Sequence, residues 1–374
     1  MAEKVKVLTI FGTRPEAIKM APLVKEIEKH SDKLESIVCV TAQHRQILDQ
    51  VLELFKIKPD YDLDIMKNNQ DLWTLTSEVL LKTKEVIDKV KPDVVLVHGD
   101  TTTSMAAALS AFYSKIPVGH VEAGLRTFDK YYPFPEEINR VFTDSVATYY
   151  FAPTDKSCEN LIKSNVDKEH IYKTGNTVID ALLYTVNNHF EEINGLNLNP
   201  NLKTILLTSH RRENFGEPIK QICKAVIELT DKNKDIEFVY PVHPNPNVRE
   251  PVYALLKGKE RIHLIEPLEY AAFCSLMKKS HIILTDSGGV QEEAPSLGKP
   301  VLVLRDTTER PEAIEYGTVK LVGTNKEEII NSVQTLLNDE AEYKKMAEAV
   351  NPYGDGLASK RITEVLLNIK KIGS

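Results

Sequence analysis

The stretch from Leu284 to Leu304 constrains the fold more than any other part of the chain. It predicts a strand, a tight turn, a helix, a second turn and another strand, and the apolar run His281–Leu284 is typical of a buried parallel strand. Two strands that are joined through a helix imply a parallel sheet with a right-handed crossover. The sequence therefore predicts an α/β protein.

The turn after that first strand favours an anion. Ser287, Gly288 and Gly289 carry no bulky side chain, and the free N–H groups and dipole of a helix N-terminus attract phosphate. Glu292 and Glu293 follow on the helix, where a carboxylate could accept hydrogen bonds from a ribose diol. A helix cap followed by surface acids would explain the same residues, so this turn alone does not decide the function.

Length and charge narrow the class of protein. The 374 residues suit two domains of about 150–200 residues, and the net charge of −7 argues against nucleic acid as a bulk partner. No apolar run approaches the roughly 18 residues that a membrane span needs, and we expect no signal peptide. The cysteines are far apart and indicate free thiols in a reducing cytoplasm: Cys39, Cys158, Cys223 and Cys274.

A strand–helix rhythm recurs along the first half of the chain. The predicted strands are Lys4–Ile10, Ile37–Thr41, Asp93–Val97, Val118–Val121 and, as the last of this half, Ala147–Phe151. The predicted helices are Glu16–Lys29 with a kink at Pro22, Asp71–Lys89, Met105–Tyr113, and one that starts at Pro135 and presents Glu136, Glu137 and Arg140. Ile171–Asp180 is predicted to open a further helix.

The alternation of strands and helices repeats after an Asn-rich stretch, Asn187–Lys203, which we interpret as a linker or an extended connection. The predicted strands of the second half are Thr204–Thr208, Glu237–Tyr240, Ile262–Ile265, His281–Leu284 and Val301–Leu304. We therefore expect two domains, 1–170 and 171–354, with a C-terminal helix in 355–374 that crosses back onto the first.

Ionisable or donor groups follow several of these strands. They are Arg14, His44, Asp100, Glu122, His210 and Ser287. In a doubly wound sheet the carboxyl ends of the strands lie along one edge, so we expect two parallel-sheet domains that face each other across an active cleft. The first turn lacks the G-x-G-x-x-G of a dinucleotide site. Arg14 and Lys19 could face the ligand side of that turn, but taken alone they could equally be surface charge.

Other motifs leave more than one interpretation open. His210, Arg211 and Arg212 could hold or protonate a phosphate leaving group, whereas Glu213 could simply pair with one of the arginines. His98 with Asp100 and His120 with Glu122 have a spacing that can bind metal on a strand, but no further ligands cluster with them, so no metal is expected. For His243, which lies among prolines, packing and ligand contact are equally open.

Taken together, the motifs resemble the non-hydrolysing UDP-N-acetylglucosamine 2-epimerases of bacteria. The similar segments lie in the same order over nearly the whole chain: FGTRPEA (11–17), HGDTTT (98–103), HVEAGLRT (120–127), PFPEEINR (133–140), TSHRRENFG (208–216) and TDSGGVQEEAP (285–295). The resemblance implies a GT-B fold of two Rossmann-like domains and no cofactor. It also implies reversible conversion of UDP-N-acetylglucosamine (UDP-GlcNAc) to UDP-N-acetylmannosamine (UDP-ManNAc) for cell-surface polysaccharide.

That reaction explains why many polar groups are needed. The proton on carbon 2 is not acidic, and no nicotinamide fingerprint supports a redox route. The implied route expels UDP from carbon 1 while a base takes the carbon 2 proton, and UDP then adds back to the 2-acetamidoglucal. By resemblance, Asp100, Glu122 and Glu136 are the acid/base carboxylates, in no assigned direction, and His210 acts on the leaving UDP.

The resemblance also implies binding roles. Arg14 and Lys19 would approach the nucleotide or its phosphates, Ser287 to Gly289 the diphosphate, and Glu293 the ribose, while Arg310 would complete the phosphate clamp. A second UDP-GlcNAc would act as an activator at residues matching Gln43, His44, Gln46, Arg211 and His243. Asn69 stands where an arginine is expected, which would weaken that activation. The family resemblance further implies a homodimer.

Three alternatives remain at this point. A hydrolysing relative would release free ManNAc and UDP through the same opening chemistry. A GT-B glycosyltransferase would pass the sugar to an acceptor, although three carboxylates fit proton transfer better than activation of an acceptor by one base. A nucleotide-sugar sensor would bind without turnover.

Overall fold

The chain forms two compact units in a computed structural model that describes residues 3–41, 45–65, 70–189, 191–193 and 195–369, without the side chains of 45–47. The first unit comprises the described residues of Met1–Leu183 and Tyr353–Ser374, and the second comprises those of Tyr184–Pro352. Because the chain enters the second unit after Leu183 and leaves it before Tyr353, two chain segments connect the units.

The first unit is built on a parallel sheet. Its strands are β1 (Val5–Phe11), β2 (Leu34–Val40), β3 (Tyr61–Asp62), β4 (Val94–His98), β5 (Val118–Val121), β6 (Tyr149–Ala152) and β7 (Ile171–Lys173). They are ordered β3-β2-β1-β4-β5-β6-β7, and the pairs are parallel. The strand order reverses between β1 and β4, which is where open α/β sheets bind ligands.

Helices connect these strands and cover the sheet. They are α1 (Arg14–Glu28), α2 (Arg45–Leu54), α3 (Leu72–Val90), α4 (Thr102–Tyr113), α5 (Glu136–Val146), α6 (Asp155–Lys163) and α7 (Thr177–Asn188). Apolar side chains of the central strands, such as Leu8 and Val95, pack with Val79 and Ala107 of the helices in a fully buried core. Within the described ranges, no helix has the length and apolar character that a bilayer span requires.

The second unit repeats this construction. Its strands are β8 (Lys203–Thr208), β9 (Ile236–Pro241), β10 (Ile262–Ile265), β11 (Ile282–Thr285), β12 (Val301–Val303) and β13 (Val319–Leu321), in the parallel order β10-β9-β8-β11-β12-β13. Its helices are α8 (Glu217–Lys232), α9 (Pro246–Leu256), α10 (Tyr270–Lys279), α11 (Gly288–Glu293), α12 (Pro311–Glu315), α13 (Lys326–Asn338) and α14 (Glu340–Ala347). The order reverses between β8 and β11.

The C-terminal segment returns to the first unit. Helix α15 (Ala358–Leu366) packs on α1, and Asp180 of α7 accepts a hydrogen bond from the Ser359 N–H at 2.8 Å. This carboxylate satisfies an N–H group that the first turn of a helix leaves without an intrahelical partner. Packing and capping together therefore hold α15 in the first unit.

The structure corrects two sequence predictions. Ile171–Asp180 was expected to open a helix; helix α7 begins within it, but only at Thr177. Ile171–Lys173 is instead strand β7, which pairs with β6 and displaces Ala147–Phe151 as the last strand of the first sheet. The short edge strands β3, β7 and β13 carry two or three residues each, too few for an alternating pattern to be recognised.

The predicted cap at Thr13 is confirmed, because Thr13 and Glu16 form a capping box, and α1 continues through Pro22.

Candidate active site

Five of the predicted site residues follow strands at or next to the two points where strand order reverses. In the first unit, Arg14 follows β1, Asp100 follows β4, and Glu122 directly follows β5. In the second unit, His210 follows β8 and Ser287 follows β11. The carboxyl ends of neighbouring parallel strands meet at one sheet edge, so each unit brings its own set of polar groups together.

Glu122 is the most strongly held of the predicted carboxylates. Its side chain is only 10% exposed, and Lys19 donates to its Oε2. Asn176 Nδ2 donates to the same oxygen at 2.9 Å, and His98 Nε2 lies 3.5 Å from it. Burial raises the pKa of Glu122, but Lys19 and His98 outweigh burial and hold that pKa well below its usual range. The structure therefore contains a buried, ionised carboxylate at the end of β5.

The backbone at Glu122 adopts an unusual conformation. Its φ angle is +66°, in the left-handed region that non-glycine side chains rarely occupy. Such a conformation costs of order 1–3 kcal/mol and persists only where surrounding contacts enforce it. Here the side-chain contacts to Lys19 and Asn176 come from outside the strand and turn that carry Glu122. Contacts from helix α1 and from the residue before α7 thus hold the carboxylate that this turn carries.

Asp100 lies at the end of the neighbouring strand. Arg140 of α5 donates to its Oδ2, and Asn139 Nδ2 donates to its backbone carbonyl at 2.9 Å. The Asp100 side chain is 30% exposed, so it is more accessible than Glu122. Helix α5 therefore fixes the loop after β4, and a carboxylate at that point can exchange protons with a ligand or with water.

The two glutamates at the start of α5 differ in role. Glu137 is buried and accepts hydrogen bonds from the Thr127 and Phe128 N–H groups at 3.0 Å each. These bonds shape the loop that precedes α5 and occupy the carboxylate. Glu136 is half-buried in the first turn of α5 and remains the candidate for chemistry.

His120 contacts protein oxygens through both of its ring nitrogens. Its Nδ1 lies 2.6 Å from Asp144 Oδ1, and its Nε2 lies 2.8 Å from the Gly99 carbonyl oxygen. Both ring nitrogens therefore face protein oxygens in a fully buried position. In the part of the chain that the structure describes, no cluster of three or more His, Cys, Asp or Glu side chains could hold a metal ion.

Arg14 and Lys19 both belong to α1. Lys19 reaches Glu122, and Arg14 is a half-buried residue at the first position of the helix. Glu16 holds this end of the helix in place: it accepts from the Thr13 N–H at 2.8 Å and from Thr101 Oγ1 at 2.7 Å. The turns after β1 and β4 are therefore joined through one buried carboxylate.

His210 and Asp286 form the centre of the second unit's site. Asp286 is fully buried, and its Oδ2 accepts from the backbone N–H groups of His210 and Arg211 at 2.8 and 2.9 Å. Its Oδ1 lies 3.1 Å from His210 Nδ1. Burial raises the pKa of Asp286, but His210 and these N–H groups lower it below its usual range. An ionised aspartate thus orients the imidazole, which is 41% exposed and stacks on His243.

Two guanidinium groups approach the Ser287–Gly288–Gly289 turn. A methyl group placed on Gly288 would lie 3.8 Å from Arg211 Nη2 and 3.9 Å from Arg310 Nη2. Arg211 Nη1 contacts Glu309 Oε1 at 3.3 Å, and Arg310 Nε donates to Glu292, so both guanidinium groups are oriented by carboxylates. Arg211 and Arg310 therefore both lie next to Gly288, and the phosphate clamp at Arg310 stays a prediction.

The acids around this turn have different surroundings. Glu293 is buried and accepts from the Tyr270 hydroxyl at 2.9 Å, while burial and Glu293 raise the pKa of Tyr270 well above its usual range. Glu213 pairs with Arg305 at 2.5 Å, and not with Arg211 or Arg212 as its position in the sequence suggested. Arg305 lies two residues beyond β12, a proximity that only the fold creates.

The expected activator residues are described only in part. Gln43, His44 and Asn69 lie outside the described residues, as does the side chain of Gln46. Arg211 and His243 belong to the second unit, where both lie close to His210 in the chain or in space. Burial and His210 lower the pKa of His243, which favours its neutral form.

The sequence predictions missed three residues that hold the candidates in place: Asp286, Asn176 and His98. Asp286 had a usable signal, because it stands between a strand and the Ser287–Gly288 turn, where a buried acid is unusual. Asn176 had none, since 54 residues separate it from Glu122 in the sequence. His98 was considered only as a metal ligand, and its buried Nε2 makes no hydrogen bond with the described residues.

Comparison with known proteins identifies the family. Residues 25–367 match the family model described as UDP-N-acetylglucosamine 2-epimerase. The chain belongs to the UDP-N-acetylglucosamine 2-epimerase family. The resemblance inferred from the sequence segments is thereby confirmed, as is the prediction of two parallel-sheet α/β domains of the GT-B-like type.

Close relatives of this epimerase family cover almost the whole chain. The UDP-N-acetylglucosamine 2-epimerase of Bacillus subtilis is 57% identical over 365 residues, which cover 98% of this chain and 96% of the relative. The crystal structure of the Neisseria meningitidis UDP-GlcNAc 2-epimerase bound to UDP-GlcNAc is 54% identical, with a TM-score of 0.86 over 98% of this chain and 100% of that one. The Methanocaldococcus jannaschii epimerase in complex with UDP-GlcNAc and UDP is 37% identical, with a TM-score of 0.76 over 97% and 100%.

Proposed function

We propose that this protein binds UDP-GlcNAc and interconverts it with UDP-ManNAc without net hydrolysis. The observation that carries the proposal is the placement of Asp100 and Glu122 at the carboxyl ends of the adjacent strands β4 and β5, each paired with a cation. Membership of the UDP-N-acetylglucosamine 2-epimerase family supplies the substrate class, and relatives of the family have been crystallised with UDP-GlcNAc.

The first half of the reaction is an elimination. A base takes the proton from carbon 2 of the sugar, the C–H electron pair forms a double bond to carbon 1, and the C–O bond at carbon 1 breaks with its electrons leaving on UDP. The products are a 2-acetamidoglucal and UDP, and no oxidant is consumed. Reprotonation of carbon 2 on the other face and return of the UDP oxygen to carbon 1 give the epimer. The route thus needs a base, an acid and a stabilised leaving group.

The first unit is suited to the proton transfers. Glu122 is held ionised by Lys19 and His98, so it can act as a base without first losing a proton. Asp100 and the half-buried Glu136 offer further carboxylates, since Asp100 is partly accessible and α5 carries both Glu136 and the Arg140 partner of Asp100. We assign no direction of the reaction to any one of them.

The second unit is suited to the leaving group. Arg211 and Arg310 approach Gly288, and a guanidinium carries five N–H donors in a planar fork that matches phosphate oxygens. His210, oriented by Asp286, can donate a proton or a charge-assisted hydrogen bond to the departing diphosphate. Ser287, Gly288 and Gly289 would bind the diphosphate, Glu293 the ribose hydroxyls, and Arg14 the nucleotide.

Proton NMR of UDP-GlcNAc incubated with the protein in heavy water tests the proposal. We expect UDP-ManNAc to appear, with deuterium at carbon 2 of both sugars, because each passage through the glycal exchanges that position with solvent. Accumulation of free ManNAc and UDP would favour the hydrolysing reaction instead. Tight binding without any conversion would favour a sensor, and transfer of the sugar to an added acceptor would favour a glycosyltransferase.

We also propose that a second UDP-GlcNAc binds to the enzyme as an activator. Arg211 and His243 lie next to the proposed leaving-group site, which supports a neighbouring nucleotide-sugar site. Initial rates with pure UDP-ManNAc should then show a lag that added UDP-GlcNAc removes. Full initial activity at vanishing UDP-GlcNAc would contradict the proposal.

A homodimer in the cytoplasm completes the proposed function. On α5, Ile138, Val141 and Phe142 lie on one helix face at exposed fractions of 46%, 37% and 39%, and Phe112 of the neighbouring α4 is 53% exposed. An apolar helix face of this kind typically marks an interface. Sedimentation should give a dimer for the protein and a shift to monomer for the Val141→Asp and Phe142→Asp double variant; a monomeric wild type would contradict it.

A further inference from the structure

The carboxylate of Glu122 is held through one of its two oxygens. Oε2 accepts from Lys19 and from Asn176 Nδ2, and His98 Nε2 lies 3.5 Å from it. None of the described residues donates a hydrogen bond to Oε1. The protein therefore distinguishes the two oxygens of this carboxylate, and Oε1 is the one that remains for a ligand proton.

The amide of Asn176 is fixed from its other side. Its Oδ1 accepts from the Val178 N–H at 3.0 Å in the first turn of α7, so the Nδ2 group is the one that faces Glu122. Asn176 is only 4% exposed, and its backbone N–H donates to the Tyr353 carbonyl at 2.6 Å. An amide with each of these groups engaged has little rotational freedom, which makes Asn176 a rigid donor.

The partner of that backbone N–H is the segment that returns to the first unit. Tyr353 begins this segment and is buried, and Gly354 follows it with a φ angle of +139°. A methyl group placed on Gly175 would lie 3.3 Å from the Gly354 Cα atom, so the two chain segments pack backbone against backbone. The donor to Glu122 is thus anchored where the chain re-enters the first unit.

We propose that Asn176 is a positioning residue for Glu122: it fixes Oε2 so that Oε1 is presented to the proton on carbon 2. The inference rests on the proposed function, because it assigns Glu122 to proton transfer. Lysine is a point charge on a flexible stem and sets charge more than direction, whereas an amide N–H has a defined direction. Two donors on one oxygen therefore fix the rotation of a carboxylate that Lys19 alone would leave adjustable.

Two substitutions separate this role from the capping of α7. Asn176→Asp and Asn176→Ser each keep a side-chain oxygen that can accept from the Val178 N–H, but both lose the donor to Glu122. We expect kcat to fall at least about tenfold in both variants, with KM for UDP-GlcNAc changed less than about threefold, because orientation at the reacting centre acts mainly on kcat. Asn325, which caps α13 in the second unit, provides the control: Asn325→Asp and Asn325→Ser should behave as wild type.

The pH dependence of kcat/KM tests the positioning role, because a purely structural role of Asn176 would leave it unchanged. Lys19 and His98 face Glu122 in all variants, but Asn176→Asp replaces a donor by a second carboxylate. A like charge and a lost hydrogen bond both raise the pKa of Glu122, so the acid limb of kcat/KM should shift to higher pH by about one unit in Asn176→Asp and by less in Asn176→Ser.

Carbon-13 NMR of the Glu122 carboxyl carbon, assigned by its absence in Glu122→Gln, gives the same titration without turnover. A higher Glu122 pKa in both variants, together with the loss of kcat, would support the inference. Wild-type kcat and an unchanged titration in correctly folded Asn176→Asp and Asn176→Ser would overturn it. Absence of any UDP-ManNAc from the wild type would instead overturn the proposed function, and the titration would still decide whether Asn176 holds Glu122.

Discussion

The two units place charge at their sheet edges in different ways. In the first, each proposed acid/base carboxylate at a strand end is paired with a cation of the same unit, as Glu122 is with Lys19 and Asp100 with Arg140. In the second, the buried acid Asp286 contacts the side chain of His210, and guanidinium groups lie close to a glycine turn. Proton transfer needs a carboxylate of defined charge and direction, whereas a leaving diphosphate needs donors around a space that admits it.

This comparison predicts that substitutions in the first unit act on chemistry and that those in the second act on the leaving group or on binding. The largest expected effect is that of Glu122→Gln. The variant keeps the shape of the side chain but removes the base, so we expect kcat to fall about 1000-fold, within the range of general acid–base catalysis. Coupled detection of UDP-ManNAc measures the rate, and calorimetry should give an unchanged Kd for UDP.

Glu342→Gln, an exposed substitution on α14, serves as the control and should leave both quantities unchanged. A Glu122→Gln variant with more than about a tenth of wild-type kcat would break the comparison, because the first unit would then not carry the base.

An intermediate effect is expected for Asp286→Asn. The amide oxygen can keep the bonds from the His210 and Arg211 N–H groups, but its NH2 group would place a donor opposite His210 Nδ1, where the wild type has a carboxylate oxygen. The imidazole would lose the carboxylate that orients it, and we expect kcat to fall roughly 10- to 100-fold with a small change in KM. Steady-state kinetics test this, with the exposed Asp235→Asn as the control.

The kcat of Asp286→Asn should be compared for the natural substrate and for a substrate whose leaving group needs no protonation. An equal loss of kcat with both substrates would contradict the role of the His210–Asp286 pair. A smaller loss of kcat with the better leaving group would sharpen the comparison of the two units, because it would assign the pair to the departing diphosphate.

The smallest expected effect is that of Gly288→Ala. The added methyl group would meet Arg211 and Arg310 at ordinary contact distances and would not strain the backbone, so the variant should fold. It would occupy the space in front of the guanidinium groups, and we expect the Kd for UDP to rise about tenfold, equivalent to about 1.4 kcal/mol. Calorimetry with UDP measures this; an unchanged Kd would place the diphosphate elsewhere.

Local sequence predicted most of the elements. The long helices α1 and α3 of the first unit and the central strands of both units were predicted within a few residues of their observed ends, because apolar periodicity and caps such as Thr13 act over short distances. The short edge strands β3, β7 and β13 were missed, since two or three residues at a sheet edge carry too little pattern to be recognised without the neighbouring strand. Asp100, Glu122, His210 and Ser287 could be named as candidates from the sequence because each closely follows a predicted strand.

The sequence by itself determined the α/β class, the family and the turns that carry the candidate residues, since all of these are written in contiguous segments. Only the tertiary structure decided which side chains hold those residues. Asn176 donates to Glu122 across 54 residues, and Asp286 accepts from the His210 backbone across 76. Hydrogen bonds between such distant positions depend on strand order and on the packing of separate turns, which no local pattern records.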